Sequence, residues 1–280
     1  MRIVVTGAGG GLGSAFVSRV PGRHDLHAFT RRDLDVADHQ AVQERIVPLE
    51  PDVVFHLAAM TSVDGCETDP AGAVATNVAG TFNVATAARR TGALLVALST
   101  DYVFDGEKGE PYDERDEPRP LASMYAWTKL AGERAAQSVG PDLLIVRTAW
   151  VFGSGKEFMS NAVRRLAAGE DVGGIVDQVG SPTHVVDLAE RLLPLAVTDV
   201  RGVVHLAGPE ATTWHDVLSR VRELGDLAGA VLDQKADELD RPAPRPVNSS
   251  LTSVVLPGTA VPPMPPLDDS LRRVLADVGA

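Results

Sequence analysis

Residues 3–13 of the chain read IVVTGAGGGLG, a short apolar run that ends in a cluster of glycines. The run has the length and β-branched composition of a buried strand, and helical spacing begins directly after it. Glycines at such a junction let the backbone approach a pyrophosphate, and the N-terminus of the following helix offers unpaired N–H groups. The sequence therefore predicts a dinucleotide-binding turn made of Gly7, Gly9, Gly10, Gly11, Leu12 and Gly13.

The glycines follow the spacing Gly7-x-x-Gly10-x-x-Gly13, and the more common G-x-G-x-x-G is not satisfied in any register. This spacing resembles that of short-chain dehydrogenases. A flexible glycine turn without a ligand is the alternative. The strand before the turn and the helix after it favour the nucleotide site.

Strand-like and helix-like segments alternate through the first half of the chain. This alternation is typical of right-handed βαβ units around a parallel sheet. We therefore predict an α/β fold, a Rossmann-type doubly wound parallel sheet, with residues 1–150 as the dinucleotide-binding domain. The predicted strands are residues 3–6, 26–30, 53–57, 94–99 and 143–147, and helical spacing covers 12–20, 71–90 and 125–139.

After residue 150 the alternation loosens and prolines become frequent. We interpret residues 151–280 mainly as a smaller substrate-binding lobe. A segment at about 184–208 has strand and helix character, and we expect it to return to the main sheet.

Composition excludes several classes of protein. The 280 residues are 44% hydrophobic and carry a formal net charge of -12 without a long basic run, so a core is expected and a nucleic-acid surface is not. No apolar run is long enough for a membrane span or a signal segment, which favours a cytoplasmic protein. Cys66 is the only cysteine and the histidines show no ligand spacing, so no metal site is predicted.

Tyr125 and Lys129 are four residues apart and share one face of a predicted helix. An ammonium beside a phenol favours the phenolate, so we expect Lys129 to lower the pKa of Tyr125 and make it a usable proton donor. Thr100 ends a predicted strand, where open α/β sheets bind ligands, and is placed to hydrogen-bond a substrate oxygen. A surface tyrosine beside a solvated lysine is the alternative.

The second predicted strand ends in Thr30-Arg31-Arg32, where an NAD enzyme usually has an acidic residue. Two guanidinium groups favour the 2'-phosphate of NADPH through bidentate hydrogen bonds. We expect NADPH to be preferred, with NADH possible as a poorer cofactor. Solvated surface charge is the alternative interpretation of Arg31 and Arg32.

Together these motifs resemble the dTDP-4-dehydrorhamnose reductases, an extended branch of the short-chain dehydrogenases, over essentially the whole chain. The resemblance implies a triad of Thr100, Tyr125 and Lys129. It also implies that NADPH reduces the C4 carbonyl of a dTDP-linked 4-keto-6-deoxyhexose while Tyr125 protonates the oxygen. The segments that carry it are STDYVFDG (99–106), YAWTKLAGE (125–133), RTAWVFG (147–153), DQVGSPT (177–183), TWHD (213–216) and RPVNS (245–249).

The same resemblance implies roles for residues outside the triad. For the cofactor, Asp35 and Val36 would flank the adenine, and the cleft would be lined by Leu57, Ala58, Ala59, Thr61 and Ser99. Tyr125 and Lys129 would contact the cofactor as well, and Lys129 could hold the nicotinamide ribose. For the sugar nucleotide, the implied contacts are Val63, Tyr102 and Trp150. Arg245 is the candidate for the substrate diphosphate, for which a guanidinium fork is chemically suited.

Three residues depart from the family pattern: His56 stands where Asn is common, Met60 replaces a more polar residue, and Gly65 stands where some members have lysine. These departures put details of the pocket in doubt. Some relatives form a dimer through a magnesium site, but no acidic cluster for it is identified here, so a monomer and a homodimer both stay open.

Other activities of the same superfamily are alternatives. A 4,6-dehydratase needs an Asp-Glu pair after the threonine, and Asp101-Tyr102 stands here instead, which disfavours that reaction. A 4-epimerase with permanently bound NAD and a non-catalytic regulatory subunit both stay open. The sequence also leaves open which deoxysugar is reduced and with which C4 stereochemistry.

Overall fold

The computed structural model describes residues 1–155 and 157–279, and within them six parallel strands form a central sheet in the order β10-β5-β4-β3-β1-β2. The predicted doubly wound α/β fold is confirmed. The strands are β1 (Arg2–Thr6), β2 (Asp25–Phe29), β3 (Val53–His56), β4 (Leu94–Thr100), β5 (Asp142–Thr148), β6 (Val151–Phe152), β7 (Val172–Ile175), β8 (Val179–Gly180), β9 (Thr183–His184), β10 (Gly202–His205), β11 (Thr212–Thr213) and β12 (Val231–Gln234).

The helices lie on both faces of the sheet and in the second half of the chain. They are α1 (Gly11–Val17), α2 (His39–Ile46), α3 (Val63–Thr68), α4 (Pro70–Ala73), α5 (Gly80–Thr91), α6 (Met124–Val139), α7 (Phe158–Ala167), α8 (Val185–Ala196), α9 (Trp214–Gly225) and α10 (Leu267–Val278). A stretch of π-helix, Val74–Ala79, joins α4 to α5. π-Helical turns are uncommon and often occur near functional sites.

Both faces of the sheet are buried because side chains alternate along each strand. In β1, Ile3 and Val5 pack with Phe16 of α1 and Leu188 of α8, whereas Val4 faces the opposite layer of α2 and α5. Helix α8 lies against α1, and β10 pairs with β5 in parallel, so this part of the second half of the chain belongs to the main sheet.

A smaller group of elements forms its own core. Strands β7 and β12 pair in parallel, and helices α7, α9 and α10 pack against one another beside them. The core of this group includes Met159, Val163, Leu218 and Leu271. No helix in the described ranges has the length and apolar character needed to cross a membrane.

The junction of β1 and α1 leaves no room for a side chain at Gly13. A Cβ atom there would lie 2.1 Å from the carbonyl oxygen of Gly7. Gly13→Ala should therefore destabilise the protein by about 1–3 kcal/mol. Thermal or urea unfolding checks this, with Gly22→Ala as the matched control because nothing lies within 4 Å of its added Cβ. Equal stability of the two variants would contradict the tight packing.

Candidate active site

A cavity of about 650 Å³ opens beside the carboxyl ends of β1, β2 and β3. Its volume suits a bound small molecule. Most of the predicted cofactor residues line it, namely Gly7, Gly9, Gly10, Arg31, Arg32, Asp35, Val36, Leu57, Ala58 and Ala59. The other predicted cofactor residues, Gly11, Leu12, Gly13, Thr61, Ser99, Tyr125 and Lys129, are not part of its lining.

The glycine turn is pressed against the loop that follows β3. Gly7 has φ +75°, and a Cβ there would lie 2.5 Å from the backbone nitrogen of Ala58. The amide of Gly10 donates to the carbonyl of Gly7 at 3.0 Å, and that of Ala8 donates to Phe29 at 3.0 Å. Only glycine tolerates this backbone at Gly7 without strain, so the turn is held close to one wall of the cavity.

The arginine pair lies at the edge of this cavity, just after β2. Asp33 closes the turn that carries it, because its Oδ2 accepts hydrogen bonds from the Thr30 amide at 2.9 Å and the Thr30 hydroxyl at 2.6 Å. Arg31 and Arg32 line the cavity. The positive charge on this wall therefore comes from two adjacent guanidinium groups, while the nearby carboxylate of Asp33 is engaged in its own turn.

One face of α6 carries Tyr125, Lys129 and Glu133, and all three are buried. Lys129 Nζ donates to the carbonyl oxygen of Leu98 in β4 at 2.7 Å. Glu133 accepts two hydrogen bonds from Arg147 of β5, at 3.0 and 2.8 Å. These contacts fix the helix face against the ends of two strands.

The phenol of Tyr125 lies within hydrogen-bonding reach of Thr100. Burial raises the pKa of Tyr125, and the hydrogen bond with Thr100 opposes that shift only in part. The expectation that Lys129 lowers the pKa of Tyr125 was wrong in direction, because burial dominates and Lys129 is not among the groups that shift it. Burial also lowers the pKa of Lys129 to about 8, against the opposing effect of Glu133.

The sequence prediction missed a buried carboxyl group next to the triad. Asp101 accepts from the Thr100 hydroxyl at 3.0 Å and from the Ser249 hydroxyl at 2.5 Å. Burial raises the pKa of Asp101 to about 7, although both hydrogen bonds oppose this. Its position directly after Thr100 was the available signal, but Ser249 lies far away in the chain.

Thr100 and Tyr125, but not Lys129, line a second cavity of about 410 Å³. The structure brings the predicted substrate residues together there with the phenol, and their roles stay predictions. These lining residues are Val63, Thr100, Tyr102, Tyr125, Trp150 and Arg245. Thr61, predicted for the cofactor cleft, lines this second cavity.

Aromatic rings form one wall of the second cavity. Trp150 stacks on Trp214 with ring centroids 4.7 Å apart, and Phe158 meets Trp214 edge-on at 5.5 Å. Trp150 has φ +45°, a left-handed backbone that is unfavourable for a bulky residue and that often marks a functional site. A Cβ at Gly180 would lie 2.2 Å from the Trp150 ring, so the indole is closely packed. Trp214 belongs to the TWHD segment, but the sequence prediction assigned neither Trp214 nor Phe158 to the site.

Arg245 is paired rather than free. Its two terminal nitrogens donate to the two carboxylate oxygens of Asp64 at 2.7 and 2.6 Å. This ion pair holds the pKa of Asp64 below its usual value. The guanidinium lines the predicted cavity, but its charge is neutralised there.

His56 lies behind the site and does not line either cavity. Its Nδ1 is 2.7 Å from the Thr6 hydroxyl and its Nε2 is 3.1 Å from the Thr81 hydroxyl. Because Thr81 donates to the carbonyl of Asn77, Nε2 carries the proton and Nδ1 accepts from Thr6. Burial lowers the pKa of His56 to about 3, so the ring is neutral. His56, one of the residues that depart from the family pattern, therefore links β1, β3 and α5 through these hydrogen bonds.

Asn77, which the sequence prediction did not include, connects the loop after β3 to α6. Its side-chain oxygen accepts from the Met60 amide at 2.8 Å, and its nitrogen donates to the Met60 carbonyl at 3.1 Å and to the Thr128 hydroxyl at 3.1 Å. Gly65 lies in α3, where its amide donates to the Ser62 hydroxyl at 3.1 Å. In the part of the chain that the structure describes, no three His, Cys, Asp or Glu side chains form a possible metal site.

The chain matches a known protein family over nearly its whole length. The family model described as RmlD substrate binding domain matches residues 1–279. The chain belongs to this family. It is 44% identical over 263 residues to the dTDP-4-dehydrorhamnose reductase of Mycobacterium tuberculosis, covering 90% of this chain and 85% of that protein.

Solved structures agree with this membership. A dTDP-4-dehydrorhamnose reductase ortholog from Clostridium acetobutylicum is 34% identical with a TM-score of 0.95, and each chain is covered in full. A dTDP-4-dehydrorhamnose reductase from Bacillus anthracis, solved in complex with NADP, is 30% identical with a TM-score of 0.93 and 99% coverage of both chains. The predicted family is thus confirmed, and the chain is an NAD(P)H-dependent oxidoreductase.

The raised pKa of the buried Asp101 carboxyl predicts that the free energy of unfolding changes with pH. Its pKa in the folded protein is raised to about 7 from the usual 3.8, so the fold disfavours the ionised form. The stability that the protonated form contributes is present at low pH and is lost as the pH rises toward 7. Compared with Asp101→Asn, the wild type should therefore lose free energy of unfolding between about pH 4 and about pH 8. Urea unfolding across this range measures it, and a constant difference would contradict the raised pKa.

Proposed function

We propose that the protein uses NADPH to reduce the C4 keto group of a dTDP-linked 4-keto-6-deoxyhexose, dTDP-4-dehydrorhamnose or a related deoxysugar. The observation that carries this proposal is the position of Tyr125 and Thr100 in the wall of the second cavity, next to the glycine-lined first cavity. The two cavities adjoin along one loop, since Met60 lines the first and Thr61 the second. A cofactor in the first and a sugar in the second would meet at the phenol.

The residues of the first cavity fit an NADP(H) molecule. The glycine turn offers backbone amides to a diphosphate, and Arg31 and Arg32 offer paired donors to a 2'-phosphate. When bound, NADPH supplies a hydride to the carbonyl carbon. The Bacillus anthracis relative solved with NADP supports this choice of cofactor.

The protein's own groups supply the proton and hold the substrate oxygen. Burial holds the pKa of Tyr125 above its usual value, so the phenol is protonated at neutral pH. Hydride addition turns the C4 carbonyl oxygen into an alkoxide, a stronger base than a phenolate, and the phenol gives its proton to that oxygen to form the C4 hydroxyl. The Thr100 hydroxyl, which donates to Asp101 in the structure, would orient that oxygen by turning its proton toward it. Lys129, buried one helical turn away on the same face of α6, would bind the nicotinamide ribose. One hydride and one proton thus complete the reduction.

We also propose that the two parts of the chain have different binding roles. Residues 1–150 would bind the cofactor, and the lobe within residues 151–280 would complete the substrate site. Support comes from the second cavity, which is lined from the first part by Thr61 and Tyr125 and from the second part by Trp214 and Arg245.

The direct test is turnover with purified protein, NADPH and a panel of dTDP-linked 4-keto-6-deoxyhexoses. We expect one NADPH to be oxidised for each C4 hydroxyl formed, as followed by absorbance and product analysis. Conversion without consumption of added cofactor would indicate an epimerase. Cofactor binding without any turnover across the panel would indicate a regulatory subunit.

Removing the phenolic hydroxyl should separate catalysis from cofactor binding. Tyr125→Phe keeps the ring in its buried position but has no proton to give, so kcat should fall by about 100-fold or more. The dissociation constant for NADPH, measured by fluorescence titration, should change little, because Tyr125 does not line the first cavity. Near-normal kcat would contradict the assigned proton donor.

The arginine pair should determine cofactor preference. Losing charge-assisted hydrogen bonds to a 2'-phosphate should raise the KM for NADPH by about 10- to 100-fold in the double variant Arg31→Ala, Arg32→Ala. The KM for NADH should stay nearly constant. Arg23→Ala is the matched control, since Arg23 is exposed and does not line the cavity. A wild type with equal KM values for the two cofactors would refute the preference.

A further inference from the structure

Asp101, which follows Thr100 in the chain, is a buried carboxyl group held by hydroxyls. It lines the second cavity but is only 2% exposed. It accepts from the hydroxyls of Thr100 at 3.0 Å and of Ser249 at 2.5 Å, and among residues 1–155 and 157–279 no Lys, Arg or His forms a salt bridge with it. Removing a charge from water is costly when its partners are neutral, so burial favours the carboxylic acid.

Two phenols and the guanidinium of Arg245 share the cavity wall with this carboxyl group. Burial raises the pKa of Tyr102, in the same turn, and of Tyr125, on α6, and the charge of Asp101 raises both further. Arg245, on the C-terminal segment, acts on Tyr102 and is not among the groups that shift Asp101. Burial raises the pKa of Asp101 itself to about 7, so Asp101 loses its proton at a pH where both phenols keep theirs.

The Thr100 hydroxyl has one proton to donate and two lone pairs that accept. One lone pair accepts from the Tyr102 amide at 3.3 Å. When Asp101 is ionised, the Thr100 proton is donated to its Oδ1 at 3.0 Å, and no donor is left for a substrate oxygen. When Asp101 is protonated, this hydrogen bond reverses: the acid donates to the second lone pair of Thr100, and the Thr100 proton points into the cavity.

We propose that Asp101 is a positioning residue for the reduction, whose carboxylic acid form donates to Thr100 and so turns the Thr100 proton toward the C4 carbonyl oxygen. This inference rests on the proposed function and adds one residue and its protonation state to the mechanism. Ser249 donates to Oδ2, which leaves Oδ1 to carry the acid proton. That proton stays on Asp101 throughout, and the reduction still takes one hydride from NADPH and one proton from Tyr125.

The test is the pH dependence of kcat at saturating NADPH and keto sugar, from about pH 6 to about pH 9. It compares the wild type with Asp101→Asn, Asp101→Ala and Ser249→Ala. The amide of Asp101→Asn keeps a hydrogen-bond donor beside Thr100 but cannot ionise. Asp113→Asn is the matched control, because Asp113 is also buried but is paired with Arg115 and lines neither cavity. Thermal unfolding shows whether each variant is folded.

We expect the kcat of the wild type and of Asp113→Asn to fall by about tenfold for each pH unit above the pKa of Asp101. Asp101→Asn should keep most of the wild-type kcat at low pH and lack this fall, apart from a decline that begins at the higher pKa of Lys129, about 8. Ser249→Ala removes a hydrogen bond that favours ionised Asp101, so its fall should begin about 0.5 to 1 pH unit higher.

Two kinetic results would overturn the proposal. If Asp101→Asn keeps the wild-type pH profile, the fall belongs to another group. If Asp101→Asn loses as much kcat as Asp101→Ala at every pH, a donor beside Thr100 is not sufficient, and Asp101 instead passes on its own proton.

Infrared spectroscopy of the wild type tests the acid form without substrate and without a variant. Exposed carboxylates are ionised at about pH 6, so a carboxylic acid carbonyl band that remains there and disappears as the pH rises through about 7 would support protonated Asp101. Absence of the band would overturn the proposal.

The two measurements separate this inference from the proposed function. If the wild type reduces none of the keto sugars, the proposed function fails, while the infrared band still supports or overturns the acid form of Asp101. Turnover by the wild type together with an unchanged pH profile in Asp101→Asn would keep the proposed function and refute the role given to Asp101.

Discussion

The site depends on how one face of α6 is seated against the ends of β4 and β5. Tyr125, Lys129 and Glu133 follow one another at intervals of four residues, so all three point the same way. Burying an ammonium and a carboxylate is costly unless each has a partner. Lys129 has the Leu98 carbonyl, and Glu133 has the guanidinium of Arg147. These partners fix the helix, and through it the distance from the phenol to Thr100.

A second set of hydrogen bonds connects α6 and its neighbours to the end of β1, the loop after β3 and the C-terminal segment. Asn77 ties the loop after β3 to α6, and His56 ties the end of β1 to the same region through Thr81. On the other side, Asp101 links Thr100 to Ser249 of the C-terminal segment. The end of β1, helix α6 and the C-terminal segment are therefore linked by buried hydrogen bonds.

The sequence predicted what depends on local spacing. The glycine turn, the four-residue interval between Tyr125 and Lys129 and the alternation of strands and helices are local patterns, and the structure brings them together as a parallel sheet requires. The sequence did not predict the properties that depend on burial or on contacts between residues far apart in the chain. The pKa of Tyr125 shifts upward because the phenol is buried, which spacing does not encode. Arg245 forms an ion pair with Asp64, which lies 181 positions earlier in the chain, and no sequence motif indicated that pairing.

The central claim is that the phenol face of α6 delivers a proton to the oxygen of a carbonyl whose carbon receives hydride from the cofactor in the neighbouring cavity. Turnover with NADPH deuterated at the transferable position of the nicotinamide measures this most directly. Mass and NMR analysis of the product should show one deuterium per molecule, bonded to C4 of the sugar. Product without deuterium at C4, or with deuterium at any other carbon, would contradict the account.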